Sequence, residues 1–237
     1  MLAQECLLQL KNLENSFMTL YELMNEYAIA NPTPPEQESR TPELGMNLSL
    51  LHSSLIECDL ENEEQGGAPR LTASPDDIEP SHLSHFIVAY LPFNSVTEKA
   101  EINHVLFEIY SFFDWLNKKN IPHGLAGTNI SQLVKQLCTK QERCLKLSQL
   151  LDNESGRILK DPPEIQNTLN DTFSVEKIEG SFVSLKGRRH DDIVRLRLPP
   201  DALPLIKLND CLDLILGDTS EKWVVLEAGQ VYPQVGK

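Results

Sequence analysis

Positive charge gathers in one short stretch, KGRRHDDIVRLRLP, residues 186–199. Lys186, Arg188, Arg189, Arg195 and Arg197 are the residues there that could do chemistry. A guanidinium fork matches two phosphate oxygens at once and an ammonium adds a point charge, so this set can hold a phosphate-bearing ligand or nucleic acid. Asp191 and Asp192 follow at once and partly cancel that field, and Glu176 or Glu179 can pair with Arg195 or Arg197 across a sheet. The first reading of GRRHDD is therefore the solvated tip of a hairpin, with ligand binding as the alternative. Binders of single strands add exposed aromatic platforms. Of Phe173, Phe182, Trp223 and Tyr232, the first three read as core, which counts against nucleic acid as a partner.

His82 and His85 form an HxxH pair that one face of a helix would bring together, a geometry a metal can use. The motif HExxH is absent and no cysteine pair stands near, so the two read as surface or packing histidines, and no metal or other cofactor is expected. Cysteines 6, 58, 138, 144 and 211 form no CxxC and are odd in number, which predicts free thiols in a reducing cytoplasm. Cys138 and Cys144 fall on opposed faces of a helix, and neither has the His-and-acid company of an activated thiol. Nucleophile, metal and phosphate-cradling loop are all missing as motifs, so the chain reads as non-enzymatic.

The elements that must position these residues follow from periodicity. Cys6, Leu10, Leu13, Phe17, Leu20, Met24 and Tyr27 repeat at spacings of four and three, which predicts one helix with a continuous apolar seam, ended by the PTPP run after Asn31. Packed inward, that seam is core. Turned outward, Leu10, Leu13, Phe17, Leu20, Met24 and Tyr27 would form an interaction helix for a protein partner or a second copy. Residues 32–45 and 61–80 are acidic and rich in Pro, and read as mobile linkers around a short helix over 46–60. SHLSHFIVAYLPF, residues 81–93, carries a short apolar run that reads as helical and ends before Pro92. Ser95 and Glu98 suggest a capping box ahead of an apolar face from Ile102 to Leu116. Thr128 or Asn129 caps a further helix carrying Ile130 to Leu151 towards Gly156.

Past a linker at 161–171 the period changes from 3.6 to 2. FSVEKIEG, SFVSLKG, DIVRLRLP, CLDLILG and KWVVLEAG are five strand candidates, punctuated by Gly180, Gly187, Gly217 and Gly229 where turns would fall. Leu212, Leu214 and Leu216 read as inward and Arg195 and Arg197 as outward. The class expected is α+β: a helical domain over 1–160, then a small five-stranded antiparallel barrel over 172–237, SH3-like or OB-like.

Charge sharpens the picture. The formal net charge is −14. Residues 1–81 hold 3 Lys/Arg against 15 Asp/Glu, whereas residues 172–237 hold 9 against 10. Acidity is thus an N-terminal property, and a basic patch on the β part is compatible with the total. No apolar run is long enough to span a bilayer, so no membrane partner is expected. A cytoplasmic interaction or scaffold protein is the leading expectation, with a phosphate-binding β domain as its rival.

Overall fold

The computed structural model describes residues 18–32, 44–60, 70–94, 98–190 and 193–233. The chain forms two compact units, Met1–Lys135 and Gln136–Lys237. Helices lead and a five-stranded sheet follows. Among the described residues, no helix is long and apolar enough to cross a membrane.

In the first unit, α1 (Leu20–Ala30) starts where Thr19 caps it: the Thr19 hydroxyl accepts from the Glu22 N–H, and the Glu22 carboxylate accepts from the Thr19 N–H at 2.8 Å. Thr19 has extended backbone, so the helix begins there and is not continuous with residues before it. Leu20, Leu23, Met24 and Tyr27 are buried. The three seam residues of the expected interaction helix that are described, Leu20, Met24 and Tyr27, thus pack into their own unit. Leu10, Leu13 and Phe17 lie outside the described residues.

Leu48, Leu51 and Leu55 of α2 (Gly45–Glu57) join this core. Part of the expected linker is built in as well: Leu71 and Ile78 are buried, and Ser74 caps a single 3-10 turn over Pro75–Asp77. Next come α3 (Pro80–His85), a π-helical segment (Phe86–Tyr90) and α4 (Leu91–Phe93). The helix therefore passes Pro92 instead of ending before it. Proline has no N–H to donate, and the wider π register, with the Leu91 N–H on the Phe86 carbonyl, fits one more residue in ahead of it.

The aromatic centre lies on α5 (Lys99–Lys118), where Phe112 and Phe113 are fully buried and Tyr27 meets Phe112 edge-on at 5.5 Å. Glu98 is its N-cap and makes no side-chain cap bond; Ser95 lies outside the described residues. Gly124 closes the turn that follows. A Cβ there would sit 2.2 Å from the Ile78 carbonyl oxygen and 2.5 Å from that of Asp76, so backbone packs where any side chain would stand.

His123, beside that glycine, is 3% exposed, with Nε2 3.0 Å from Asn117 Oδ1 and its ring 5.5 Å from Phe113. Burial lowers its pKa below 6.5, against a smaller upward pull from Asp76. The imidazole is neutral in the fold, so the unfolded chain takes up the proton first as pH falls. Its contribution is complete above about pH 6.5 and is lost below it, as pH falls towards the folded value. Urea midpoints should drop between pH 7 and 5 more steeply for the natural chain than for His123→Gln; parallel curves would refute this. His82, whose pKa burial also lowers, leaves a residual slope in both.

The helix α6 (Ile130–Lys160) is capped by Asn129, whose side chain accepts from the Gln132 N–H at 3.0 Å. It continues through Gly156, and the two units divide within it. In the second unit Cys144, Leu147 and Leu151 share one core with Phe173, Val175, Val183, Leu185, Val194, Leu196, Leu212, Leu214 and Leu216. Ser148 and Ser155 donate to the carbonyls of Gly229 and Leu226 at 2.6 and 2.5 Å.

The strands are β1 (Asn167–Glu179), β2 (Phe182–Gly187), β3 (Ile193–Arg197), β4 (Cys211–Asp218) and β5 (Trp223–Tyr232). Residues 167–171, expected as linker, open β1. Gly180 makes the β1–β2 turn at φ 59°, whereas Gly217 and Gly229 lie inside strands. Pairing runs β1-β2-β3-β5-β4 and returns from β4 to β1, closing the ring. A ring of five strands cannot alternate direction all the way round. The odd pair is β3–β5, which is parallel and joined by one bridge, Leu196 to Trp223, so the antiparallel expectation fails there.

Candidate functional site

The outer face of β2 and β3 holds three of the five predicted cations. Ser184 pairs with Arg195, Phe182 with Arg197 and Lys186 with Ile193, and paired residues share a face. The partners between them, Val183, Leu185, Val194 and Leu196, are buried, so the row faces solvent. Lys186, Arg195 and Arg197 are exposed, Ile193 is 64% exposed, and Phe182 is half-buried. The Arg195 guanidinium carbon sits 4.4 Å from the Phe182 ring centroid, a cation–π contact. Glu179, expected as a partner for these arginines, is instead bonded to Lys177 at 2.7 Å. That contact, with a smaller part from Arg195, lowers the Glu179 pKa.

Arg188 and Arg189 stand apart, at the end of the hairpin. The Arg188 N–H donates to the Thr172 carbonyl at 3.0 Å, and the Arg189 N–H to Asp171 Oδ2 at 2.8 Å. Asp171 is 5% exposed, and its other oxygen takes the Thr172 N–H. Gly187 makes room for this carboxylate, because a Cβ there would lie 2.6 Å from Asp171 Oδ2. The start of GRRHDD is therefore pinned to β1. Asp191 and Asp192 lie outside the described residues. The Arg188 charge pulls the Cys211 thiol pKa down, against the burial that raises it.

A cleft of about 490 Å³ lies where β3 and β5 part. Arg197, Pro199, Lys222 and Trp223 line it, together with Glu154, Arg157 and Asp161 from the end of α6 and just beyond. Trp223 is half-buried. Phe182 is thus not a core residue as expected; Phe173 is, at 0% exposure, and the half-buried Trp223 packs against that core from the cleft side. The alternation of β2 placed Phe182 outward together with Lys186, a signal already present in the sequence.

His82 and His85 both sit on α3, with their charges opposing each other. His82 Nδ1 is committed to the helix start, accepting the Glu79 N–H at 2.9 Å. Among the described residues no group of three or more potential metal ligands forms. Cys144 is core, and burial pushes its thiol up to about 11, away from thiolate chemistry near neutrality. The chain matches no protein-family model, no curated protein and no solved structure.

Proposed function

We propose that the protein is a non-enzymatic binding protein whose closed sheet is an OB-like barrel, and that its β2–β3 face binds a single-stranded, phosphate-bearing ligand. The observation that carries this is the row of Lys186, Arg195 and Arg197 with the half-buried Phe182 beneath Arg195. Cations follow a phosphate backbone, while an aromatic ring and the exposed Ile193 offer flat apolar surface to bases. The ring order with β3 beside β5 and β4 beside β1 favours an OB-like over an SH3-like barrel. In OB-like barrels the β2–β3 face is a common ligand surface. That is fold analogy, and it carries less than the residues themselves. The free cysteines keep the cytoplasm as the proposed location. The test is binding of a labelled single-stranded oligonucleotide to the full chain at 50 and 200 mM salt, with the three cations reversed in a companion variant. Equal signals from both proteins would sink the reading.

A second reading, contact with a protein partner or another copy, rests on α5. There Phe107 is 71% exposed and Tyr110, three residues on, is 45% exposed. If that face assembles the chain, Phe107→Ser should lower the solution mass at high protein concentration. An unchanged mass would exclude self-association through it.

A further inference from the structure

We propose that the cleft between β3 and β5 is a nucleotide subsite, taking one nucleotide unit, either free or at the end of a strand. The inference rests on the reading of the β2–β3 face, because Arg197 belongs to both places. Its volume, about 490 Å³, falls in the range of small-ligand pockets, roughly 300–1,000 Å³.

The lining supplies the separate contacts that a nucleotide needs. Trp223 and Pro199, both in the lining, give aromatic and apolar surface for a base, and stacking of this kind is tolerant of base identity. Arg197 and Lys222 supply a guanidinium fork and an ammonium for phosphate. Two carboxylates also line the cleft and must be counted. Glu154 is held by Arg157 through bonds of 2.9 and 2.6 Å, and its pKa is lowered by that pairing and by Lys222. That pair is nearly neutral as a unit. Asp161 remains against Arg197 and Lys222, and a carboxylate is a natural acceptor for ribose hydroxyls. The cleft is net positive in a chain whose formal charge is −14.

The Lys222 backbone is held in place before any ligand arrives. Its carbonyl accepts from the Thr219 N–H at 3.0 Å and the Thr219 hydroxyl at 2.9 Å, and its own N–H donates to that hydroxyl at 3.2 Å. The Ser220 N–H bonds Asp218 Oδ1 at 2.9 Å, which closes the β4–β5 turn. Such pre-ordering reduces what binding must spend on fixing a loop.

The sequence has two tryptophans, so Trp115→Phe in the full chain leaves Trp223 as the emission reporter. This protein is titrated with a nucleoside monophosphate by emission and with a labelled single-stranded oligonucleotide by emission and anisotropy. The expected result is saturable quenching of Trp223 by both ligands, weakened at least tenfold by Lys222→Glu. Lys222 is exposed, so the substitution leaves the core alone. Oligonucleotide binding by anisotropy with no change in Trp223 emission overturns the subsite and spares the face. Mononucleotide quenching without any oligonucleotide binding supports the subsite and removes the face reading. No signal from either ligand overturns both.

Discussion

Asp210→Ala should cost the second unit about 3–5 kcal/mol, the largest stability loss expected from any one substitution considered. Asp210 is 1% exposed and Arg143 has a side chain 14% exposed. Their carboxylate and guanidinium meet through two bonds, of 2.5 and 2.8 Å. Arg143 also donates to the Leu205 carbonyl at 2.5 Å, and the Lys207 N–H donates to Asp210 at 2.8 Å. One ion pair therefore organises both α6 and the long connection from β3 to β4. Removing the carboxylate strands a guanidinium in a place water scarcely reaches, and that penalty exceeds the value of the pair itself. The check is chemical denaturation of Asp210→Ala beside the double variant Arg143→Met, Asp210→Leu. The double variant should recover much of the loss. A single variant within 1 kcal/mol of the natural chain would show that the pair is not buried as described.

Reversing Lys186, Arg195 and Arg197 to Glu should weaken single-strand binding at 50 mM salt by about two to three orders of magnitude. Each neutralised phosphate on a single strand contributes about 0.7 to the slope of log K against log salt. Three contacts then give a slope near −2, and about a 20-fold loss for the natural chain between 50 and 200 mM. The variant should bind weakly at both concentrations and lose most of that slope. Its fold should persist, since all three side chains are exposed. A natural chain whose binding ignores salt would mean that these cations do not meet phosphates, whatever its affinity.

Much of the second unit was legible in the sequence because alternation is a strict code. Leu212, Leu214 and Leu216 turn inward and Arg195 and Arg197 outward, as their period requires. The start of β1 was hidden: NTLND reads as loop chemistry, yet Asp171 is buried there because two backbone N–H groups satisfy it. The parallel pair β3–β5 could have been foreseen by counting, since five is odd. Phe182 was misplaced because an aromatic beside a strand was equated with core, whereas Trp223 does pack against the core while keeping one part in the cleft.

The first unit was less transparent. A seam running from Cys6 to Tyr27 suggested one helix, and that impression masked the capping box of Thr19 and Glu22 in the middle of it. Seven residues at spacings of three and four outweighed four residues of local chemistry, although the local chemistry decides where a helix begins. The π segment ahead of Pro92 leaves no sequence signature beyond the proline, whose position alone does not say whether a helix stops or widens.

The single bridge between Leu196 and Trp223 also sets where the sheet breathes. Every other neighbour in the ring is held by an extended ladder. This seam can open while those ladders stay intact, so amides along it should exchange with solvent well before the rest of the sheet. Each opening uncovers a strand edge able to pair with a like edge on another molecule. A ligand seated across the gap would slow that exchange, and would shield the chain from strand-to-strand aggregation for as long as it stays bound.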